Sequence, residues 1–502
     1  MTTALLPLLV AAPLTVAGIL VLTRPPLWLS RTLLLAPSAA SLVISTALLW
    51  VTRDGEILSH NVALWADGIS IPFVVDTFSA LMLWTTSLLV LVCGAFAVAV
   101  GDDKASYFGP LVLVLSAGVT GALMTGDLFN LFVFIEVMLL PAYGLLAMLG
   151  SLRRLRSGRI YVTLNLLTST VFLAGVALVY GAAGTVNIGQ LAGAASESPM
   201  VAVGMGVVIL ALSVKSAVVP VHGWLARTYP STSPAVTALF SGLHTKIAIY
   251  AIYRLYAVVF DGDSTYLWIG VVVFSATMLV GVLGAVGEDT TRSILVFHMV
   301  SQIGYILLGV ALFTELGLIA GIFYLIHHMI VKASLFLSTG AIEHTHGTGA
   351  LNRLGGIARH EPLLAIAFMA AALSLAGLPP FSGFVAKLTL VAGAFQAGEW
   401  MAAAVAVAVS LFTLMSMLKI WGGVFWGKEP EPKRPVDEPH EAGGSTTVLV
   451  RPKVPTSLLL PGVVLAATTL CIGLGATVLL DLSATAAANL LDTSTYVEAV
   501  LG

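Results

Sequence analysis

The stretch Leu210–Thr228, LALSVKSAVVPVHGWLART, places a lysine and a proline inside an otherwise apolar run. Lys215 stands five residues before Pro220, where an uninterrupted membrane helix would hold neither. A second stretch, Ala371–Leu390 (AALSLAGLPPFSGFVAKLTL), repeats the combination: Pro379 and Pro380 interrupt it, and Lys387 follows seven residues after Pro380. Proline removes an i→i−4 hydrogen bond and frees carbonyls. In lipid that is tolerated only where the backbone is covered by protein or lines a cavity. Two ordinary proline kinks are the plainer reading, and a lysine beside each break weighs against it.

Working outward, apolar runs recur along the whole chain. Of its 502 residues, 58% are hydrophobic and only 10% are charged, with a mean hydropathy of +1.01. A soluble domain carries roughly 25% charged residues, so a water-facing surface is excluded. Segments of the roughly 20 residues needed to cross a bilayer fall at 3–23, 30–52, 70–100, 107–125, 127–150, 160–180 and 200–226. They continue at 233–259, 266–286, 291–313, 317–341, 363–397, 401–426 and 456–480. The N-terminal segment has no basic leader and is followed by further spans, so it reads as a first helix and not as a cleaved signal.

The two interrupted segments are the seventh and twelfth. Spans 4–8 and 9–13 make two blocks of five, and an odd number of crossings turns the second block upside down. Each broken span is then the fourth of its block, the pattern of an inverted-repeat transporter. The expected fold is an all-α polytopic membrane protein with about 14 transmembrane helices and two inverted five-helix repeats with discontinuous helices 7 and 12. The expected division is 1–106 for spans 1–3, 107–260 and 261–427 for the two repeats, 428–455 for a polar loop, and 456–502 for the last helix and tail.

The basic residues orient this arrangement. Of 23 lysines and arginines, sixteen fall in connections after odd-numbered spans, and only Arg53 and Arg254 fall after even-numbered ones. The positive-inside rule puts the odd connections in the cytoplasm and both termini outside, in a multi-pass protein of the cell membrane. A net charge of −2 offers nothing for nucleic acid. Cys93 and Cys471 lie in apolar runs and are too few for an iron–sulfur or zinc site. Neither a phosphate loop nor a haem-ligand pattern stands out, so no cofactor is expected and any redox chemistry belongs to another subunit.

Five lysines lie within spans: Lys215, Lys246, Lys332, Lys387 and Lys419. Lys419 is near the end of its span, beside Trp421 and Trp426, and can reach the interface. Each of the other four costs roughly 2.5–3.5 kcal/mol at a helix centre, so they should face the bundle interior. Among 25 acidic residues, Glu136 is the one read as well inside a span. It lies nine residues beyond Asp127, about 14 Å along a helix and near the middle of the hydrocarbon. It needs a cationic partner or must itself carry a proton.

Histidines add groups that titrate near neutral pH. His327 and His328 lie in HHMIVKASLF, where His328 and Lys332 are four apart and share a helix face. His244 is two residues before Lys246, so the two point in different directions, and His298 lies in the tenth span. For each histidine, a hydrogen-bonded core residue is the competing reading. His344, His346, His360 and His440 are read as loop residues, and the EHTH cluster at 343–346 as a surface feature without a metal.

At these residues the chain resembles the antiporter-like subunits shared by respiratory complex I, membrane-bound hydrogenases and Mrp-type Na⁺/H⁺ antiporters. The stretches that carry the resemblance are TGDLFNLFVFIEVMLLPAYGLL (125–146), VKSAVVPVHGWL (214–225), GLHTKIAIY (242–250), HHMIVKASLF (327–336) and GLPPFSGFVAK (377–387). The run DLFNLFVFIE before LLPAY looks most like the D subunit of the Mrp type. The resemblance implies a half-channel in each repeat, joined by a polar axis in the membrane plane. Glu136 and Lys215 would then form an ion pair, Lys246 would bridge, His327 or His328 with Lys332 would extend the relay, and Lys387 would end it. It further implies proton transfer coupled to Na⁺ within a complex of several membrane subunits. Where Na⁺ would bind is not visible in the sequence; the chain has no cluster of intramembrane carboxylates, and a site in a partner subunit is one reading. A proton-pumping subunit of a redox complex and a non-transporting membrane scaffold are the rival readings.

Overall fold

The computed structural model describes residues 3–62, 70–148, 152–427 and 453–501, without the side chain of Arg153. Most of the expected polar loop 428–455, with its basic residues up to Arg451, lies outside the described residues. The chain is helical almost throughout. It begins with α1 (Leu8–Thr23), α2 (Leu27–Thr52), α3 (Thr77–Val100), α4 (Phe108–Met124), α5 (Leu128–Ala147) and α6 (Leu152–Ala183). A short α7 (Ala194–Glu197) precedes α8 (Pro199–Lys215), α9 (Gly223–Thr228), α10 (Pro234–Val259), α11 (Leu267–Gly287), α12 (Thr291–Leu312) and α13 (Glu315–His346). The chain ends with α14 (Pro362–Ala376), α15 (Ser382–Gln396), α16 (Trp400–Ile420), α17 (Thr456–Leu474), α18 (Ala476–Leu491) and α19 (Ser494–Leu501).

Local sequence sets these limits. Asp127, Ser233, Thr290 and Thr314 cap α5, α10, α12 and α13, each accepting a backbone N–H from the first turn. Pro199, Pro234 and Pro362 occupy first helical positions, where no N–H is needed. Eleven described helices are long and apolar enough to cross a membrane. The shorter apolar α4, α8, α14 and α18 accompany them. Both expected breaks are present. The seventh span divides into α8 and α9, and the twelfth into α14 and α15.

Four expectations are corrected. The third span does not begin at 70: Pro72–Val75 is a strand (β2) paired antiparallel with Leu58–Asn61 (β1), and α3 starts at Thr77. The start is fixed by a capping box in which Asp76 and Ser79 bond each other's backbone N–H groups. The last helix does not stop at 480. It bends at Gly475 and continues as α18 to Leu491, followed by α19 packed on the hairpin. Arg254 is not in a connection but buried in α10, and His344 and His346 end α13 instead of lying in a loop.

Burial separates the helices into a centre and a periphery. Every residue in the apolar window of α10 is buried, and 94% and 89% are in α12 and α13, against 22% in α2. Lys246, His298, His327, His328 and Lys332 therefore face protein and not lipid. The two ends of the bundle also differ. One gathers Arg31 with Asp103, Arg292 with Glu343, and Lys419 with Asp289. The opposite end holds the β1–β2 hairpin, against which both the first described residues and α19 pack. The first and the last described segments thus both lie at the hairpin end.

Candidate functional site

In the first half of the chain, α8 ends at Lys215 because the backbone leaves the helix there. The next residue but one, Ala217, has a left-handed φ of 61°, an uncommon conformation for a residue with a side chain. The indole N–H of Trp224 on α9 donates to the Val214 carbonyl at 3.1 Å, tying the two half-helices across the break. Lys215 points back toward α5 and α6. Its Nζ is 3.8 Å from Glu136 Oε1 and donates to Ser169 Oγ at 3.0 Å. The Ser169 hydroxyl in turn donates to Glu136 Oε1. The lysine side chain is 5% exposed and the glutamate 22%, so the pair is screened on one side and open on the other.

His244 stands on α10 near this triad, within electrostatic reach of Lys215. Its Nδ1 is 2.8 Å from the Tyr161 hydroxyl, and its ring stacks on Phe240 at 4.2 Å. Two residues on, Lys246 is wholly buried and faces the other way. Its Nζ donates to Thr245 Oγ1 at 3.0 Å, and no carboxylate pairs with it among the described residues.

Lys332 on α13 is also wholly buried, with Nζ donating to the Leu295 carbonyl at 2.7 Å. His328, one helical turn before it, lies within electrostatic reach of both Lys246 and Lys332 and has no hydrogen-bond partner on either ring nitrogen. His244, His298 and His327 each leave one nitrogen unpartnered as well. Buried polar atoms without partners are uncommon in folded proteins, and these four buried histidines each leave at least one.

In the second half, the break between α14 and α15 holds Lys387. Its Nζ donates to the Ala376 carbonyl at 3.1 Å, an acceptor freed by the end of α14, and sits 4.9 Å from the centre of the Tyr305 ring. Gly377 makes room: it has a φ of 89°, and a Cβ there would come 2.6 Å from Lys387 Cδ. His327 Nδ1 lies 2.8 Å from Ser382 Oγ at the start of α15, and His298 Nε2 lies 2.6 Å from Ser416 Oγ on α16.

The structure thus brings Glu136 and Lys215 together. It brings Lys246, His328 and Lys332 within electrostatic reach of one another, and it places His327 beside the Lys387 break. Lys419 is not in this line. It donates to the Val286 and Glu288 carbonyls and to Asp289 at the basic end. Sequence reasoning missed Ser169, Tyr161, Ser382 and Ser416. Hydroxyls in these helices commonly bond their own preceding turn, as Thr85 does with Leu81 and Ser416 with Phe412, so residue type alone did not mark those that also meet an ionisable side chain. It also missed a second buried ion pair, Asp76 with Arg254 at 2.6 Å, because Arg254 reads as a helix end.

A set of ionisable side chains buried in a bundle of apolar helices, two of whose spans are broken, defines a polytopic membrane protein with titratable groups in its helical core. A family model described as "NADH:quinone oxidoreductase/Mrp antiporter, TM" matches residues 125–413. The chain belongs to this family. It is 36% identical to the D subunit of the Na(+)/H(+) antiporter of Alkalihalophilus pseudofirmus over 99% of each chain. The fold superposes with a TM-score of 0.95 on a chain of the Mrp complex from Dietzia sp. DQ12-45-1b, 56% identical over the full length of both. A chain of the membrane-bound sulfane sulfur reductase, an archaeal respiratory membrane complex, is similar at a TM-score of 0.85 and 25% identity, with 99% of this chain and 100% of that one covered.

Proposed function

We propose that this chain is the proton-translocating subunit of a multisubunit Na⁺/H⁺ antiporter. The observation that carries the reading is the Glu136–Ser169–Lys215 triad, in a bundle whose central helices bury further His and Lys side chains and whose second break holds Lys387. Similarity to the antiporter D subunit and to the Mrp complex supports partner membrane subunits and Na⁺ as the exchanged ion. Glu136, Lys215, Lys246, His327, His328, Lys332 and Lys387 are assigned as the relay, and residues 107–260 and 261–427 as its two inverted halves. The basic end of the bundle is assigned to the cytoplasm by the positive-inside rule, which leaves both termini outside.

A proton reaching the triad changes the charge seen by Lys215, and Lys215 lies within electrostatic reach of His244, which shares α10 with Lys246. Moving one elementary charge across the membrane is worth about 2.3 kcal/mol per 100 mV. A single charge change between side chains a few ångströms apart in a weakly polarisable interior is of comparable size. Each step can therefore displace the next without a large movement of the helices. A cavity of about 410 Å³ lined by Arg292, Glu343 and His344 opens at the basic end between the two halves, an opening suited to exchange with water.

The test uses the assembled complex in vesicles, with Na⁺-dependent pH changes followed in the absence of any redox substrate. Glu136→Ala and Lys215→Ala should abolish exchange while the complex still assembles; wild-type exchange in either variant refutes the proposal. Similarity to a respiratory-complex chain supports a second reading, a redox-driven proton pump. On that reading the same vesicles stay silent until an electron donor is supplied. The scaffold reading requires that neutralising all four deep lysines leave exchange untouched.

A further inference from the structure

Three buried hydroxyls close a small ring inside the second break. Ser382 Oγ lies 2.7 Å from Thr469 Oγ1 and 3.2 Å from Ser374 Oγ, and Ser374 Oγ lies 3.3 Å from Thr469 Oγ1. None of the three residues has exposed surface. Ser374 lies in the last turn of α14 and Ser382 begins α15, so these two face each other across the interruption. Thr469 comes from α17, outside both five-helix blocks. The helix is held there by backbone packing: a Cβ on Gly473, one turn further on, would come 2.5 Å from the Pro380 carbonyl oxygen. The ring is attached to the relay through His327, whose Nδ1 is 2.8 Å from Ser382 Oγ.

Thr469 bonds to other side chains at a point where two half-helices end and Lys387 is held by a carbonyl two residues from Ser374. We propose that Ser382, Thr469 and Ser374 form a proton-transfer ring between His327 and the break that holds Lys387, with Thr469 making α17 part of the translocation path. His327 takes up a proton at Nε2 and gives the proton on Nδ1 to Ser382 Oγ, so the imidazole ends neutral; Ser382 passes its own hydroxyl proton to Thr469, and Thr469 passes its proton to Ser374. Ser374 releases one proton toward the break, where the neutral Lys387 amine is the base that receives it. Every oxygen ends with the one hydrogen it began with, and rotation of the three hydroxyls resets the ring.

This inference rests on the proton-relay reading above, and the experiment separates the two. Thr469→Val keeps the side-chain shape and removes the hydroxyl; Thr469→Ser keeps the hydroxyl and removes a methyl group. In the assembled complex, Na⁺-dependent antiport should fall by about tenfold in Thr469→Val, the rate factor that goes with one lost hydrogen bond. It should return to near the wild-type rate in Thr469→Ser, and Thr469→Val should show a larger solvent deuterium isotope effect. Ser374→Ala, which leaves α17 untouched, should behave like Thr469→Val and is decisive if that variant does not assemble. Wild-type rate and isotope effect in Thr469→Val or Ser374→Ala, with Lys215→Ala inactive in parallel, overturn the ring and leave the relay standing. Activity retained in Lys215→Ala overturns the relay itself.

Discussion

Lys215 Nζ is 3.0 Å from the Ser169 hydroxyl, closer than the 3.8 Å that separates it from the Glu136 carboxylate. The ion pair is thus bridged by a group that accepts from the ammonium and donates to the carboxylate. Such a bridge lets charge and proton be exchanged without the lysine leaving its position.

Removing the bridge should weaken transport without destroying the pair. Ser169→Ala is expected to lower antiport by about fivefold to tenfold, in line with one lost charge-assisted hydrogen bond. Ser169→Thr should retain most of the rate. Initial rates of Na⁺-dependent pH change in vesicles distinguish the two, and an unaltered rate in Ser169→Ala would show that the hydroxyl is a bystander.

Gly377 should tolerate no side chain. Alanine there takes on a left-handed φ, costing roughly 1–2 kcal/mol, and its Cβ collides with the Lys387 stem. Gly377→Ala is expected to displace Lys387 from the Ala376 carbonyl and to reduce antiport more than it reduces the level of assembled complex. Both quantities can be read from one membrane preparation.

The Asp76–Arg254 pair should matter for stability and not for exchange. Arg254 donates to Asp76 at 2.6 Å and lies 4.6 Å from the Tyr496 ring centre, joining α3, α10 and α19 at the hairpin end. Breaking a buried pair leaves an uncompensated charge and costs about 3–5 kcal/mol. Asp76→Ala should therefore lower the unfolding temperature of the purified protein markedly. Replacing both partners by apolar residues should recover much of the loss, and equal losses in single and double variants would contradict this.

Asp102 supplies a pH test. It lies between α3 and α4 at the basic end. Burial holds its carboxyl above the usual range, outweighing a hydrogen bond from Ser233 and the charges of Arg154 and His344. The folded state therefore binds this proton more tightly than the unfolded chain. The stabilisation is complete below the unfolded value near 3.9 and is lost as pH rises through the folded value. Asp102→Asn should be more stable than wild type near neutral pH, with the difference vanishing toward pH 4. Thermal unfolding in detergent between these limits measures it.

The sequence alone determined the membrane fold, the number and order of the spans, the two breaks, and which lysines cannot face lipid. These follow from composition and from the cost of placing charge or proline in hydrocarbon, quantities that each residue carries with it. Glu136 and Lys215 were legible as partners only through a resemblance, since 79 positions of chain separate them. Tertiary structure decided the rest. It inserted Ser169 between those two, set Tyr161 on His244, hid Arg254 against Asp76, and brought Thr469 of α17 into the second break. The reason is physical: a hydroxyl can bond its own preceding turn or a neighbouring helix at similar cost, and only the packing of the helices chooses between them.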